Sequence, residues 1–387
     1  MSKLDLVILC GGRGTRLGKI TKNIPKPLLK INDESFLEIL IKFYQKYNLN
    51  KIFLLAGYKS ELIKKKFHRK LFNLIPCEVI VEKKPMGTGG SLYLLRNKIK
   101  KNFILINGDS FINYNRDKFF NFNTKKKSHK ILITKNINYK SNSKLANLEI
   151  KNKKIFLKEY SGKMNAGVYK FNKDIFRFIK NRFQSLEEEV IPKIIIEKKL
   201  YGEFSSEEFI DIGIKKNLNY AKKNFFKKKK SAVFLDRDGV INKNYGYVHK
   251  YSNFDWNRGI FKLLRNLTKR FDYIILVTNQ SGIGRGYYDE EDFIKLHKQI
   301  KNFLANKKIY IDDLYFCPHH PEYGKGKYKK SCKCRKPGNL LIENAILKWN
   351  IDRNKALMIG DKILDKECAK KSKIKFQYYS YNLFKKF

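Results

Sequence analysis

The sequence lacks any apolar run of the roughly 20 residues that a membrane-spanning helix needs. Its first apolar run, residues 6–10, is too short for the apolar region of a signal peptide and ends in glycines. We therefore expect a cytoplasmic protein with no membrane partner. An internal repeat is also absent, so the two halves of the chain are expected to be different domains.

Acidic residues are scarce, with 36 Asp and Glu against 84 Lys and Arg, which gives a formal net charge of +48. Such a charge favours anionic partners. The lysines are scattered along the chain and do not cluster in a recognised nucleic-acid-binding module, so we expect small anionic substrates and no nucleic acid. The alternative is a basic nucleic-acid-binding protein with inactive domains, which would bind DNA or RNA with a steep salt dependence.

Cysteine is also scarce, but three of the six cysteines lie in one short region with a histidine. Without an export signal, this spacing favours a metal site over disulfides. Three thiolates and one imidazole make a closed set of soft donors, which predicts a structural zinc site. The predicted zinc ligands are Cys317, His319, Cys332 and Cys334. His320 is an alternative ligand.

Hydrophobic residues make up 42% of the 387 residues, enough for two cores. Short β-rich runs alternate with amphipathic stretches, which predicts βαβ units with parallel sheets and hence an α/β fold. The predicted strands include residues 4–10, 52–56, 79–82, 103–106, 232–235, 273–278 and 356–359, and the predicted helices include residues 36–47 and 288–304. A lysine-rich run predicts domains at 1–222 and 231–387, joined by a linker at 223–230.

A glycine-rich loop follows the first predicted strand. Glycines allow backbone N–H groups to approach phosphates closely. Arg16 can clamp phosphate oxygens, and Lys26, set between two prolines, can supply a second cation. The alternative is a plain glycine turn, but the combination predicts a nucleotide-phosphate site. The predicted phosphate-binding residues of this loop are Gly11, Gly12, Gly14 and Thr15.

The first half therefore resembles the sugar-1-phosphate nucleotidyltransferases, whose opening signature is GGxGTRL followed by a PKP segment. Further similar segments lie at 82–90, 107–109, 165–169 and 209–213, so that the resemblance covers about residues 3–222. It implies a Rossmann-like, GT-A-like domain in which a sugar phosphate attacks an NTP with the help of Mg²⁺. The residues it implies are Gly87, Thr88 and Gly89 near the nucleotide, Asp109 and Asp211 at Mg²⁺, Glu159, Asn165 and Gly167 at the sugar, and catalytic Arg16 and Lys26.

One departure from that family concerns the sugar. A lysine usually follows the glutamate before the NAG segment, whereas Tyr160 follows Glu159 here, and Lys158 or Lys163 would have to substitute. Within the family, residues 35–38 and 85–90 are most similar to the heptose-1-phosphate guanylyltransferases. GTP as the nucleotide donor is implied by that resemblance alone.

The second half opens with two carboxylates after a predicted strand. Asp236 can attack phosphorus and Asp238 can donate a proton to the leaving oxygen. The alternative is a pair of aspartates that caps a turn. Further polar residues follow two later predicted strands or the cysteine cluster, and can bind the phosphoryl group, neutralise charge or bind Mg²⁺. These residues are Thr278, Asn279, Arg335, Lys336 and Asp361, with Asp365 in support.

Four motifs in this order resemble the haloacid dehalogenase-type phosphatases over residues 231–377. The resemblance implies a HAD-like Rossmannoid domain with a zinc loop and with Mg²⁺ at Asp236, Asp238 and Asp361. Segments 237–242, 246–249, 282–286 and 317–321 are similar to the D,D-heptose 1,7-bisphosphate phosphatases. Histidinol-phosphate phosphatases share the zinc loop and stay as an alternative. The chain departs from the heptose subgroup at residues 338–340, which replace a longer run.

Together the two resemblances predict a bifunctional enzyme of nucleotide-heptose synthesis. It would remove the 7-phosphate of a heptose 1,7-bisphosphate and transfer a nucleotidyl group to the heptose 1-phosphate. The expected partners are sugar phosphates and NTPs, and a homo-oligomer is left open. Alternatives are another sugar phosphate with another NTP, or one active domain joined to one that only senses a metabolite.

Overall fold

The first unit of the chain is built on a mixed ten-stranded sheet. The computed structural model describes residues 3–45, 47, 49–114, 119–120, 128–135, 144–159, 161–226 and 229–387. Of these, residues 3–44 and 49–226 form the first unit, and residues 45, 47 and 229–387 form the second. Both units combine sheets with helices, which confirms the predicted α/β class.

The strands of the first unit are β1 Leu4–Leu9, β2 Lys30–Ile31, β3 Glu34–Ser35, β4 Leu49–Ala56, β5 Leu71–Phe72, β6 Ile75–Val81, β7 Phe103–Asn107, β8 Ser110–Ile112, β9 His129–Lys135, β10 Leu148–Lys151, β11 Lys154–Leu157, β12 Lys163–Phe171, β13 Leu200–Phe204 and β14 Phe209–Asp211. The large sheet has the order β10-β11-β13-β9-β12-β7-β1-β4-β6-β5. Strands β7, β1, β4 and β6 are parallel, so their carboxyl ends meet at one edge.

The α-helices of this unit are α1 Phe36–Gln45, α2 Ser60–Phe67, α3 Gly87–Gly90, α4 Ile191–Ile196 and α5 Lys215–Tyr220. Its 3₁₀ helices are Thr15–Thr21, Lys26–Leu28, Ser91–Leu95, Lys144–Ala146 and Lys173–Arg177, and its π-helical turns are Leu186–Val190 and Ala221–Phe225. The last turn extends α5 into the predicted linker, of which residues 227 and 228 lie outside the described residues. The domain bounds of the sequence analysis stay a prediction.

Two short strands outside the large sheet bring distant residues together. Strand β8 pairs with β14 in antiparallel register, with Ser110 opposite Asp211. The backbone N–H of Ile212 donates to the carbonyl of Asp109 at 3.0 Å. This ribbon places Asp109 beside Asp211 although 101 positions separate them.

The second unit contains a five-stranded sheet in which every neighbouring pair is parallel. Its strands are β15 Lys230–Leu235, β16 Tyr273–Asn279, β17 Asp313–Cys317, β18 Ile351–Gly360 and β19 Lys375–Tyr378, in the order β17-β16-β15-β18-β19. Its α-helices are α6 Ile260–Arg270, α7 Ser281–Arg285, α8 Glu290–Asn306, α9 Leu340–Trp349 and α10 Ile363–Lys371, and its 3₁₀ helices are Tyr251–Asn253, Gly326–Tyr328 and Leu383–Lys385.

Strand β15 shows why this sheet is buried on both faces. Val233 and Leu235 pack into one hydrophobic cluster, and Ala232 and Phe234 pack into another on the opposite face. This alternation follows from the two-residue period of a strand. Leucines of α6 cover the first face and residues of α9 cover the second, so β15 lies at the centre of the unit.

Helix α8 begins where the sequence supplies a capping box. The Asp289 carboxylate accepts a hydrogen bond from the N–H of Asp292, whose own carboxylate accepts the N–H of Asp289. In the described part of the chain, no helix is both long and apolar enough to cross a membrane.

Candidate active sites

A cavity of about 500 Å³ opens at the carboxyl ends of β1, β4, β6 and β7. We call it the first-unit cavity. Its walls come mainly from the loops that follow those parallel strands, the usual position of ligands in open α/β sheets. Its lining includes Leu9, Cys10, Gly11, Gly12, Arg13, Lys26, Pro27, Gly57, Tyr58, Glu82, Gly87, Thr88, Asn107, Gly108 and Asp109.

A buried lysine at this cavity stands between two carboxylates. Lys26 Nζ lies 2.6 Å from Asp109 Oδ2 and 3.3 Å from Asp211 Oδ1, and only 7% of its side chain is exposed. Burial and the neighbouring charge of Asp109 raise the pKa of Asp211 above its ordinary value. Asp109 and Asp211 thus bring carboxylate oxygens together, and these are the ligands that Mg²⁺ prefers. The donor set therefore fits a divalent cation.

Gly213 has no Cβ, and this leaves the space in which the side chains of Lys26, Asp211 and Arg16 come together. A Cβ at this position would lie 2.7 Å from Lys26 Nζ, 2.8 Å from Asp211 Oδ1 and 2.9 Å from Arg16 Nη2. Those distances are shorter than van der Waals contact. The Gly213 N–H also donates to Asp211 Oδ1 at 2.7 Å, which fixes the orientation of that carboxylate.

Glu82 is a third carboxylate at the first-unit cavity, and it lies after β6. Its Oε2 accepts the N–H of Met86 at 3.1 Å, and its Oε1 lies beside Gly11. Burial raises its pKa, against the effect of the Met86 hydrogen bond. A partly buried carboxylate with no cation within bonding distance among the described residues can accept hydrogen bonds from a ligand.

A second cavity, of about 360 Å³, lies at the carboxyl ends of β15 and β16. In this second-unit cavity Lys336 Nζ lies 3.0 Å from Asp236 Oδ1 and 2.6 Å from Asp365 Oδ1. The N–H of Arg237 also donates to Asp236 Oδ1, at 2.7 Å. Burial raises the pKa of Asp236 to about 6, although the charge of Lys336 opposes the shift. Among the described residues no donor contacts Asp236 Oδ2, which leaves that oxygen for a ligand.

Three carboxylates of the second unit could hold a metal ion together. One oxygen each of Asp236, Asp361 and Asp365 lies within 4.8 Å of the other two. Asp361 Oδ1 is buried and has no hydrogen-bond partner in the described structure, which is costly unless a ligand satisfies it. Gly239, at φ 93°, makes room, because a Cβ there would lie 2.1 Å from Asp361 Oδ2. The arrangement fits Mg²⁺.

The four predicted zinc ligands lie together. Their ligand atoms are within 4.8 Å of one another, and the three sulfurs are separated by 3.1, 3.2 and 3.5 Å. In a tetrahedral zinc site with bonds of about 2.3 Å the sulfurs lie about 3.8 Å apart, whereas the two sulfurs of a disulfide lie about 2 Å apart. The observed separations are closer to the zinc spacing than to a disulfide. His319 Nδ1 lies 3.3 Å from Cys334 Sγ. His320 Nδ1 instead accepts backbone N–H groups of Glu322 and Tyr323, so the donor set that fits zinc contains His319.

Comparisons with known proteins give a match for each unit of the chain. A family model described as nucleotidyl transferase matches residues 6–228, more than half of the chain, and one described as haloacid dehalogenase-like hydrolase matches residues 328–378. The chain is 44% identical over 144 residues to the D-glycero-beta-D-manno-heptose-1,7-bisphosphate 7-phosphatase of Haemophilus influenzae, covering 37% of this chain and 78% of that protein. The chain belongs to the nucleotidyl transferase and heptose-bisphosphate 7-phosphatase families.

Two further proteins are similar to this nucleotidyl transferase and phosphatase. The D-glycero-alpha-D-manno-heptose-1,7-bisphosphate 7-phosphatase of Burkholderia mallei is 46% identical over 138 residues, covering 35% of this chain and 72% of that protein. A crystal structure of HddC from Yersinia pseudotuberculosis is 27% identical with a TM-score of 0.48, covering 57% of this chain and 99% of that chain. We refer to the two parts of the chain below as the transferase unit and the phosphatase unit.

The transferase unit gathers only some of the predicted phosphate-binding, catalytic and metal-binding residues at its cavity. Those that line it are Gly11, Gly12, Lys26, Gly87, Thr88 and Asp109. Arg16 is outside the lining, with 67% of its side chain exposed and its guanidinium 3.9 Å from Asp211. Gly14 and Thr15 stand at the start of a 3₁₀ helix, and the N–H of Gly89 donates to the Gln184 carbonyl. Their roles stay predictions.

The predicted sugar-binding residues are not part of the cavity lining. Glu159 is exposed, and Tyr160 lies outside the described residues. The Asn165 amide is occupied within its own strand, since its Nδ2 donates to the Tyr169 hydroxyl and its Oδ1 accepts the N–H of Gly167. These residues form a bulge in β12.

Sequence reasoning missed Glu187. Its Oε2 accepts the hydroxyl of Thr88 at 2.6 Å, and its Oε1 faces the Tyr169 hydroxyl at 3.5 Å. It therefore joins the nucleotide loop to the strand predicted to hold the sugar. Burial and the charge of Asp109 raise the pKa of Glu187. It is one of three consecutive glutamates, so the sequence gives no signal that sets it apart.

The phosphatase unit differs from expectation around Asp238 and Asn279. The Asp238 carboxylate binds Arg237, Asn242 and Gln280 and is not part of the three-carboxylate group, in which Asp365 stands instead. The Asn279 amide binds the backbone N–H and carbonyl of Lys336, at 3.0 and 3.1 Å. The metal role of Asp238 and the phosphate role of Asn279 stay predictions.

The second-unit cavity is lined by most of the predicted residues and by Gln280, which sequence reasoning did not select. The predicted residues in its lining are Asp236, Asp238, Thr278, Asn279, Arg335 and Lys336. Arg335 Nη1 also donates to the His319 carbonyl at 3.3 Å. The glutamine follows the predicted threonine and asparagine in the sequence, so its position was a usable signal. Its contacts cross between strands and could not be read from the sequence.

Proposed function

We propose that this enzyme performs two consecutive steps on one sugar phosphate. The phosphatase unit removes the 7-phosphate of D-glycero-D-manno-heptose 1,7-bisphosphate. The transferase unit then joins the remaining heptose 1-phosphate to a nucleotide, GMP from GTP. The observation that carries the proposal is the 44% identity to a heptose-bisphosphate 7-phosphatase in a chain whose other unit is a nucleotidyl transferase. The first product keeps the 1-phosphate that the second reaction needs.

The phosphatase step is assigned to Asp236, Asp238 and Lys336, which line the second-unit cavity. Asp236 Oδ2 attacks the phosphorus of the 7-phosphate and forms an aspartyl-phosphate, while the C7 oxygen leaves with a proton from Asp238. Water then hydrolyses the aspartyl-phosphate and releases inorganic phosphate. Lys336 balances the charge of Asp236. Mg²⁺ held by Asp236, Asp361 and Asp365 would neutralise the phosphoryl oxygens.

The transferase step depends on positioning and charge. An oxygen of the sugar 1-phosphate attacks the α-phosphorus of the NTP, the bond to the β-phosphate breaks, and pyrophosphate leaves. Lys26 and the glycine loop lie where they can face these phosphates. Mg²⁺ held by Asp109 and Asp211 would offset the charge that accumulates on the reacting groups.

Glu82 supports GTP as the donor. The Watson–Crick edge of guanine offers two adjacent N–H donors, and one carboxylate can accept both. Cytosine and adenine present an acceptor beside their amino group, which a carboxylate would repel. Because Glu82 lines the cavity and its Oε1 lies beside Gly11 of the glycine loop, its carboxylate is suited to guanine.

Mass spectrometry of product mixtures tests the proposal. The protein is incubated with Mg²⁺, one NTP at a time and either anomer of heptose 1,7-bisphosphate. We expect inorganic phosphate and a GDP-heptose mass with GTP. Phosphate release without a nucleotide-sugar under any NTP would overturn the transferase assignment. Absence of phosphate release from both anomers would overturn the heptose assignment, and histidinol phosphate and hexose phosphates would then be tested.

A further inference from the structure

We propose that Phe183 stacks on the base of the NTP bound in the first-unit cavity. The inference rests on the nucleotidyl transfer of the proposed function, and it depends neither on GTP as the donor nor on which sugar is the acceptor. Phe183 lines this cavity, yet 65% of the residue is exposed. Single exposed apolar side chains are ordinary on a protein surface, whereas this one lies in the cavity that Gly11 and Glu82 also line.

The ring of Phe183 is left out of the core to which its sequence neighbours belong. Phe176, Ile179 and Leu186 pack into a hydrophobic cluster with strands of the large sheet, and Phe183 is not a member of that cluster. Aromatic side chains are among those that gain most from burial. A ring held at the wall of a cavity can obtain that gain from a flat ligand.

The backbone beside Phe183 is fastened to the nucleotide loop, residues 86–90. The Gln184 N–H donates to the Met86 carbonyl at 2.9 Å. The Gln184 carbonyl accepts the N–H groups of Gly89 and Gly90 at 2.8 and 3.1 Å. These three hydrogen bonds fix the position of the Phe183 backbone relative to the loop.

Arg182 holds the other side of Phe183. Its Nη1 donates to the Phe183 carbonyl at 2.7 Å, and its Nη2 donates to Glu189 Oε2 at 2.6 Å. A Cβ at Gly90 would lie 2.1 Å from the Arg182 carbonyl oxygen, so the two segments pack backbone against backbone. Phe183 is therefore presented from a segment that is held on both sides.

The nucleotide loop also joins Phe183 to the carboxylate that we assign to the base. The Met86 N–H donates to Glu82 Oε2 at 3.1 Å, while its carbonyl accepts the Gln184 N–H. One residue thus bonds both to Glu82 and to the sequence neighbour of Phe183. A carboxylate binds only the edge of a base, and the π-face of the base is satisfied by stacking on a ring. Phe183 supplies a ring beside the same loop.

Among the described residues of the lining, Tyr58 is the other aromatic one. Its hydroxyl donates to the Lys22 carbonyl at 2.7 Å, and Lys59 Nζ lies over its ring, 5.8 Å from the centroid. Tyr58 is therefore already engaged by its own surroundings. This difference favours Phe183 as the stacking residue.

Kinetics of nucleotidyl transfer provide the test. Stacking tolerates any base and is made equally before and in the transition state, so its loss affects binding and not the chemical step. Phe183→Leu keeps an apolar side chain and removes the ring. For the NTP that the wild type uses, we expect KM to rise about tenfold while kcat stays within about twofold. The KM for the sugar phosphate should not change.

Inorganic tripolyphosphate separates the base from the phosphates. It carries the phosphates of an NTP without a base, and its inhibition constant against the NTP reports on the transferase site alone. In Phe183→Leu this constant should stay within about twofold of the wild-type value.

Phe183→Trp provides a spectroscopic test. This variant keeps a stacking ring, so its KM for the NTP should stay within about twofold of wild type. Its added indole fluorescence should be quenched when the NTP binds. The wild type gives the background, since its two tryptophans, Trp256 and Trp349, lie in the phosphatase unit.

The matched control is Phe156→Leu. Phe156 lies on β11 of the same unit, is 37% exposed and is not part of the cavity lining. Its replacement should leave KM for the NTP unchanged. An unchanged KM in Phe183→Leu, a rise confined to the sugar phosphate, or an equal rise in the tripolyphosphate constant would overturn the stacking role.

Failure of the proposed function would be seen separately. A wild-type enzyme that transfers a nucleotide other than GMP would contradict the proposed donor, and KM for that NTP would still decide the role of Phe183. If the wild type bound NTPs but did not use heptose 1-phosphate, the proposed sugar would fall, and the quenching in Phe183→Trp would decide. A wild-type enzyme that binds no NTP would overturn both proposals.

Discussion

Each candidate site contains a buried lysine that faces two carboxylates. Lys26 stands between Asp109 and Asp211, and Lys336 stands between Asp236 and Asp365. A lone buried ammonium group would be strongly disfavoured, so the carboxylates stabilise each lysine before any ligand binds. The paired carboxylates of each site suit a divalent cation, and the phosphate substrates bring negative charge that this cation and the lysine can neutralise.

The first prediction concerns Glu82 and the choice of nucleotide. Glu82→Gln replaces one acceptor by a donor, which would face a donor of guanine. We expect kcat/KM for GTP to fall about 100-fold while that for ATP changes little. Initial rates of pyrophosphate release with each NTP and supplied heptose 1-phosphate measure the effect.

The matched control for this prediction is Glu78→Gln. Glu78 lies on the same strand, β6, and its carboxylate binds Lys51 and Lys98 at 2.7 and 2.8 Å. Its replacement should leave nucleotide preference unchanged. If Glu82→Gln kept the wild-type preference among NTPs, Glu82 would not recognise the base. Its carboxylate would then no longer support GTP as the nucleotide donor.

At the level of elements, the sequence predicted the regular strands and missed the short ones. The apolar runs at residues 52–56 and 232–235 are long enough to show burial on both faces, and both are strands. Strands β8 and β14 have three residues each, too few for a period, and their pairing spans about 100 positions. The arrangement that joins Asp109 to Asp211 therefore could not be read from the sequence.

The residues of the candidate sites likewise divide into those that the sequence predicted and those that it missed. Residues at or just after the ends of buried strands, such as Asp236 and Gly11, were predictable because ligands bind at those strand ends. Glu187 and Gln280 act through hydrogen bonds that cross between distant segments. Asn165 was selected for its motif, but its amide is satisfied inside a bulge that only the register of β12 reveals.

The second prediction concerns the loop that carries the four zinc ligands. Its ends are tied to the phosphatase site, because the Cys317 carbonyl accepts the N–H of Gln280 and the Lys336 backbone binds the Asn279 amide. We expect Cys332→Ser to lose bound zinc, to lower the Tm of the phosphatase unit and to reduce phosphatase kcat at least tenfold.

Metal content by mass spectrometry, calorimetry and phosphate release measure these three effects. Cys77→Ser is the control, since Cys77 is a buried cysteine of the transferase unit and should leave the zinc content unchanged. If Cys332→Ser retained zinc and full phosphatase activity, the four residues would not form a structural metal site.

At the scale of the whole molecule, the two reactions are linked by their chemistry. The sugar product of the phosphatase reaction is the acceptor of the transferase reaction, and both steps handle anions. The net charge of +48 favours such substrates by long-range attraction. The units have separate cavities, each lined by residues of one unit only. We therefore expect each activity to survive loss of the other.

The last prediction tests that separation. Asp236→Asn removes the nucleophile and should lower phosphate release about 1,000-fold or more, while nucleotidyl transfer to supplied heptose 1-phosphate stays within twofold of wild type. Asp109→Ala should do the converse, because it removes a carboxylate of the transferase site. Loss of both activities in either well-folded variant would contradict independent units.

A mixture of the two variants tests whether heptose 1-phosphate can pass from one chain to another. Given heptose 1,7-bisphosphate, GTP and Mg²⁺, neither variant alone should form a nucleotide-sugar, but an equimolar mixture should. The intermediate then diffuses from an active phosphatase unit on one chain to an active transferase unit on another. A mixture that releases phosphate yet forms no nucleotide-sugar, although the wild type does, would mean that heptose 1-phosphate must stay with the chain that produced it.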